Sequence, residues 1–265
     1  FEFYAAFRGG KKVFMNFIKV NSYDELSVKA AGIICAQIVL KPDSILGLAT
    51  GSSPVGTYKK MIEKCEDGEV DFSSVRTVNL DEYVGLDGTH EQSYRYFMNT
   101  NLFDHVNIDK NNTRVPCGVA KDTAKECAEY DAYIESIGGI DLQLLGIGLD
   151  GHIGFNEPDI NLNSGTHLTD LTESTMEANS RFFSEDEVMP TKALTMGIST
   201  ILKSKKIILL ASGANKSRVV GELLNEAINT SIPATMLKVH PDVVLICDRD
   251  AYSTIRLGVD IGGTN

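Results

Sequence analysis

Cysteine is scarce and unpatterned in this chain. The 265 residues hold five, at 35, 65, 117, 127 and 247, an odd number with no C-x-x-C pair. A disulfide framework and a cysteine-based zinc site are therefore excluded as organising features, and a reducing compartment is expected. Long apolar runs are missing too. The stretch 30–40 is interrupted by Gln37 and stops short of Pro42, so it reads as a buried helix rather than a membrane span. Positive charge is in deficit: 25 Lys and Arg face 36 Asp and Glu, for a net charge of -11. An acidic chain repels phosphate backbones, so no nucleic-acid partner is expected, although a locally positive pocket can still take a small anion. Residues 1–14 are aromatic and basic but lack both a continuous apolar segment and a small-residue cleavage site. The expectation is a cytoplasmic protein with no membrane partner.

A hydrophobic fraction of 43% supports a sizeable core, enough for one large α/β domain or two small ones. Neither repeats nor low-complexity stretches occur. Short apolar, β-branched runs alternate with helical patterns. Strands are predicted at Ser44–Ala49, Val75–Leu80, Leu142–Ile147, Ile207–Ala211 and Val243–Cys247. Helices are predicted at Tyr23–Val39, Val55–Cys65, Gln92–Leu102, Thr123–Ser136 and Lys216–Ala227. The run Leu142-Gln-Leu-Leu-Gly-Ile is apolar without alternation, as in a strand buried on both faces. Strand–helix alternation implies an open, mostly parallel sheet with helices on both faces, whose ligands bind beyond the carboxyl ends of the strands.

Three motifs lie just after predicted strands. Leu48-Ala-Thr-Gly-Ser-Ser-Pro-Val-Gly56 leads from a strand into a helix; Thr50, Gly51, Ser52 and Ser53 offer hydroxyls and bare amides, and Pro54 suits a first helical turn. Such a helix start can hold a phosphate, or can be an ordinary cap. It is neither a G-x-G-x-x-G fingerprint nor a P-loop. Asn79-Leu-Asp-Glu-Tyr-Val-Gly85 places Asp81 beside Glu82, and neighbouring like charges raise the pKa of one, as a general base requires. Alone, it would read as a solvated acidic loop. Gly146-Ile-Gly-Leu-Asp-Gly-His-Ile-Gly-Phe-Asn-Glu-Pro158 gathers Asp150, His152 and Glu157 in one loop with four glycines. A histidine flanked by carboxylates is poised for acid–base work. Arg181, in Ala178-Asn-Ser-Arg-Phe-Phe183, and Lys216, in Ser212-Gly-Ala-Asn-Lys216, are candidate phosphate clamps, each an ordinary surface charge if taken singly.

In combination these segments, from about Met15 to Ile255, resemble the glucosamine-6-phosphate deaminase (isomerase) family. The most specific pieces are Asn79-Leu-Asp-Glu-Tyr-Val-Gly, Asp150-Gly-His-Ile-Gly-Phe-Asn-Glu-Pro and Asn179-Ser-Arg-Phe-Phe. The resemblance implies a single Rossmann-like α/β domain that binds no dinucleotide and needs neither metal nor cofactor. It implies Asp81 as the base that removes the C2 proton, and Asp150, His152 and Glu157 as the ring-opening group. Arg181 and Lys216, with the 50–53 turn, become the phosphate site. The expected ligand is a small amino-sugar phosphate. Family members under allosteric control carry basic residues soon after Asn-Glu-Pro; Asp159–Thr169 has His167 but no Lys or Arg, so no effector response and a monomer or small homo-oligomer are expected. Rival readings are a 6-phosphogluconolactonase-like hydrolase, which gives Asp81 no clear task, and a non-catalytic sugar-phosphate sensor.

Both ends look foreign to this domain. Residues 1–14 read as a leader or non-native extension before a domain spanning 15–255, with Met15 as a native start. The tail 256–265, ending Asp-Ile-Gly-Gly-Thr-Asn, resembles the opening of sugar kinases of the ROK family, as if a fused kinase domain began there.

Overall fold

The apolar runs expected as strands assemble into one sheet. The computed structural model describes residues 4–8, 11–180, 183, 187–225 and 227–253. Its eight-stranded sheet has the order β1 (Tyr4–Arg8), β2 (Lys11–Lys19), β11 (Val243–Cys247), β10 (Lys206–Ala211), β7 (Leu142–Gly146), β3 (Ile45–Leu48), β4 (Arg76–Asn79) and β6 (Thr113–Arg114). All neighbours pair in parallel except β1 with β2. The first parallel strand begins at Lys11, four residues ahead of Met15, where the domain was expected to open.

Both faces of the sheet are covered. Ile207, Leu209 and Leu245 enter one apolar cluster, and Ile208, Leu210 and Ile246 the other. That two-sided burial explains why these strands read as unbroken apolar runs. Helix α1 (Tyr23–Leu40) starts where Ser22 Oγ accepts from Glu25 N at 3.2 Å, and presents Leu26, Ala30, Ile34 and Ile38, a four-residue repeat, to the second cluster. It ends ahead of Pro42. Among the described residues no helix is long and apolar enough to cross a membrane.

Boundaries moved where local geometry outweighed pattern. The helix expected over Gln92–Leu102 is an α-helix at Tyr94–Met98 continued by a π-helical turn, Asn99–Phe103. The helix expected from Lys216 to Ala227 runs Ser217–Leu223, after a 3-10 turn at Ala214–Lys216. A second sheet went unforeseen: β5 (Asp81–Tyr83), β9 (Lys192–Thr195) and β8 (His167–Asp170), all antiparallel. Its strands have three or four residues, too few to display a period. The kinase-like tail 256–265 lies outside the described residues.

Candidate active site

Four loops leave the carboxyl ends of β10, β7, β3 and β4, which are neighbours in the sheet. Strand order reverses between β3 and β7, since the chain continues from β3 to β4 and β6 and then returns to the other side. A crevice opens at such a reversal, and here it is a cavity of about 780 Å³.

One end of the cavity is formed by the 50–53 turn. Gly51 turns the chain with a φ of 84°. Pro54 occupies the N-cap of the helix Val55–Glu66, one position earlier than expected, and has no side-chain acceptor of its own to cap the first turn. The turn is pinned by Tyr23, whose hydroxyl accepts from Gly56 N at 2.8 Å and lies 3.0 Å from the Ser52 carbonyl oxygen. Across the cavity Lys216 Nζ donates to the Ile147 carbonyl at 2.6 Å, and burial lowers the lysine's pKa. Arg218, also on the wall, donates to the Leu149 carbonyl at 3.0 Å.

Asp81 stands where β4 hands over to the small sheet. Leu80 N bonds the Leu48 carbonyl at 3.1 Å and Met196 N bonds the Leu80 carbonyl at 2.7 Å, so the chain is held on both sides. Asp81 then pairs in register with Thr195. Its side chain lines the cavity, yet the residue is only 5% exposed, and Oδ1 has no hydrogen-bond partner among the described residues. Burial first, and the Glu82 charge second, push its carboxyl up to about 8, against a downward pull from His152.

Opposite lies His152. Its Nδ1 is 2.8 Å from Asp150 Oδ1 and 3.1 Å from Glu157 Oε2, ion-pair distances at angles away from linear. Burial favours neutral imidazole, but the two carboxylates prevail and raise the histidine to about 9. Burial would raise Asp150 as well; the imidazolium instead holds its carboxyl well below the usual carboxylate range. Glu157 is steadied from behind by Thr175, whose hydroxyl donates to Oε1 at 2.5 Å. Gly148 is required by packing: a Cβ there would come within 2.4 Å of the imidazole ring. Asp150, His152 and Glu157 offer ligand atoms within 4.8 Å of one another, a spacing a metal ion can use. Metal binding needs neutral imidazole, so a cation would have to displace a proton that the two carboxylates hold firmly.

Thr50, Gly51, Ser52, Ser53, Asp81, Asp150, His152 and Lys216 therefore share one cavity. Glu157 stands behind His152 rather than on the wall, and Arg181 lies outside the described residues. Sequence reasoning missed Tyr94, Thr175 and Arg218 on the wall. Arg218 follows Lys216 by two residues, which was a usable signal. Tyr94 and Thr175 arrive through tertiary packing of short elements and left none.

Comparison with known proteins agrees with this geometry. A family model described as glucosamine-6-phosphate isomerases/6-phosphogluconolactonase matches residues 24–245. A glucosamine-6-phosphate deaminase of Clostridium perfringens (strain SM101 / Type A) is 56% identical over 242 residues, covering 91% of this chain and all of the relative. One from Clostridium botulinum (strain Langeland / NCTC 10281 / Type F) is 54% identical over 243 residues, covering 92% of this chain and 100% of its own length. A solved monomeric glucosamine-6-phosphate deaminase superimposes with a TM-score of 0.87 at 44% identity, over 89% of this chain and 98% of its own. The 6-phosphogluconolactonase of Thermotoga maritima shares the fold, with a TM-score of 0.70 at 20% identity over 88% of this chain and 99% of its own. With its sheet, its crevice and its ordered motifs, the chain belongs to the glucosamine-6-phosphate deaminase family.

Proposed function

We propose that this chain is a glucosamine-6-phosphate deaminase, converting glucosamine 6-phosphate and water to fructose 6-phosphate and ammonia. In this reading the enzyme serves amino-sugar breakdown in the cytoplasm. The observation that supports it most is the pairing, in one cavity, of a buried carboxylate with an unpartnered oxygen and an imidazole backed by two carboxylates.

The phosphate rests on the 50–53 turn, with Lys216 and Arg181 supplying positive charge. The cyclic sugar has no acidic proton at C2, so the ring opens first. The His152 imidazolium gives its Nε2 proton to the ring oxygen as the C1–O bond breaks, and the imidazole so formed takes the proton of the anomeric hydroxyl. Asp81 then removes the C2 proton of the open-chain aldehyde, giving an enolamine, and returns a proton to C1. The ketimine that results adds water at C2 and expels ammonia. A carboxylate held in an apolar setting is a stronger base than one in water, and the substrate's own ammonium favours its ionised form on binding. Hydrolysis of a lactone includes no C2 deprotonation and gives Asp81 no such task.

The test is direct: purified protein given glucosamine 6-phosphate releases ammonia and fructose 6-phosphate in equal amounts. Hydrolysis of 6-phosphogluconolactone with no ammonia release would overturn the reading.

A further inference from the structure

The residue after the proposed base has no place in this mechanism, and its surroundings are unusual. Successive side chains on a strand point to opposite faces, so Glu82 is turned away from the cavity that Asp81 lines. It is 2% exposed. Its Oε1 accepts from Tyr83 N at 2.9 Å and Tyr94 N at 2.8 Å, and its Oε2 from Arg95 N at 2.9 Å. No salt bridge to Glu82 occurs among the described residues. The Arg95 guanidinium is engaged elsewhere, donating to Thr113 Oγ1 at 2.7 Å and the Thr113 carbonyl at 2.9 Å. Burial pushes the Glu82 carboxyl up to about 7 against the pull of the three amides and of the Arg95 charge, so it is ionised in the range where Asp81 titrates and, with no cation bonded to it, keeps a field that reaches its neighbours. The segment it clasps matters, because Tyr94 stacks on Phe155 of the His152 loop, with ring centroids 6.1 Å apart and planes 8° apart, and lines the cavity.

We infer that Glu82 is a positioning residue for this reaction: its carboxylate ties the strand bearing Asp81 to the helix that carries Tyr94 to the cavity wall, and its charge sets the electrostatic setting in which Asp81 works. The inference rests on the deaminase reading and deepens it. The charges that act on Asp81 are Glu82, from the far side of the strand, and His152, with the phenols of Tyr58, Tyr94 and Tyr130 also within reach of its field. Arg95 and the amides named above face Glu82. Of the two charges that act on Asp81, only Glu82 is negative, so removing it should make Asp81 a weaker base.

Two variants separate the roles. Glu82→Gln keeps the size and loses the charge; the rising limb of its kcat/KM profile, which reports Asp81 ionisation, should move to lower pH by on the order of one unit. Glu82→Asp keeps the charge but falls one methylene short of the clasp; its limb should stay in place while KM rises as Tyr94 loses its anchor. A Glu82→Gln limb at the wild-type pH, or a Glu82→Asp enzyme with wild-type kcat and KM, overturns the inference. Circular dichroism and thermal melting show which variants fold, and the Asp variant alone decides the positioning role if the Gln variant does not. Should Asp81→Asn leave C2 proton exchange intact, the deaminase reading itself fails; should it abolish exchange while both Glu82 variants behave as wild type, only this inference fails.

Discussion

Replacing Asp81 with Asn should inactivate the enzyme and stabilise the fold. An unfolded aspartate ionises at 3.8, whereas burial and the Glu82 charge push the folded one up to about 8. A group whose folded pKa is raised contributes stability that is fully present below 3.8 and is lost as pH rises towards 8. At roughly 1.4 kcal/mol per pH unit, the interval between 3.8 and pH 7 corresponds to about 4 kcal/mol, an upper figure because the site can relax. Asn carries no such burden, and since Oδ1 of Asp81 has no partner, the substitution breaks no hydrogen bond at that atom. Domains of this size gain about 2–4 °C in Tm per kcal/mol. Asp81→Asn should therefore melt roughly 5–15 °C higher than wild type at pH 7. Scanning calorimetry from pH 5 to 8.5 should show that gap widening with pH and levelling off above 8. A variant no more stable than wild type at pH 7, or a gap indifferent to pH, would refute the reasoning.

Three further outcomes follow from the same geometry. The kcat/KM profile should be bell-shaped, rising as Asp81 ionises near 8 and falling as His152 loses its proton near 9; His152→Gln should remove the falling limb together with about 10²–10⁴-fold of the rate. Gly148→Ala drives a methyl against the imidazole ring, 2.4 Å away, so ring opening should fall at least about 10²-fold while melting shows a folded protein. Lys216→Ala should raise KM for the phosphorylated sugar more than it lowers kcat, as steady-state kinetics will show, because the amine serves binding rather than proton transfer.

The core of the parallel sheet was legible because strands buried on both faces leave continuous apolar runs, as Ile207–Ala211 and Val243–Cys247 do. The loops that line the cavity were legible because polar and ionisable side chains cluster with glycine just beyond those strands. The small antiparallel sheet was not, although it fixes Asp81: Asp81–Tyr83 finds its partner Lys192–Thr195 across more than a hundred residues, and that strand pairs in turn with His167–Asp170. Adjacency also misled in part. Asp81 and Glu82 look like a pair sharing one crevice, but strand alternation sends them to opposite faces, and the influence of Glu82 is exerted through charge and backbone. Thr175 was invisible because its role is to hold Glu157, itself one step behind His152.

The proposed reaction depends most on Asp81 as the group that takes the C2 proton. Wild type and Asp81→Asn can be incubated with glucosamine 6-phosphate in deuterium oxide and followed by proton NMR. Wild type should place deuterium at C1 of the fructose 6-phosphate it forms, while the variant should bind the substrate and leave its C2 proton in place. Loss of the C2 proton signal in the variant at the wild-type rate would contradict the account.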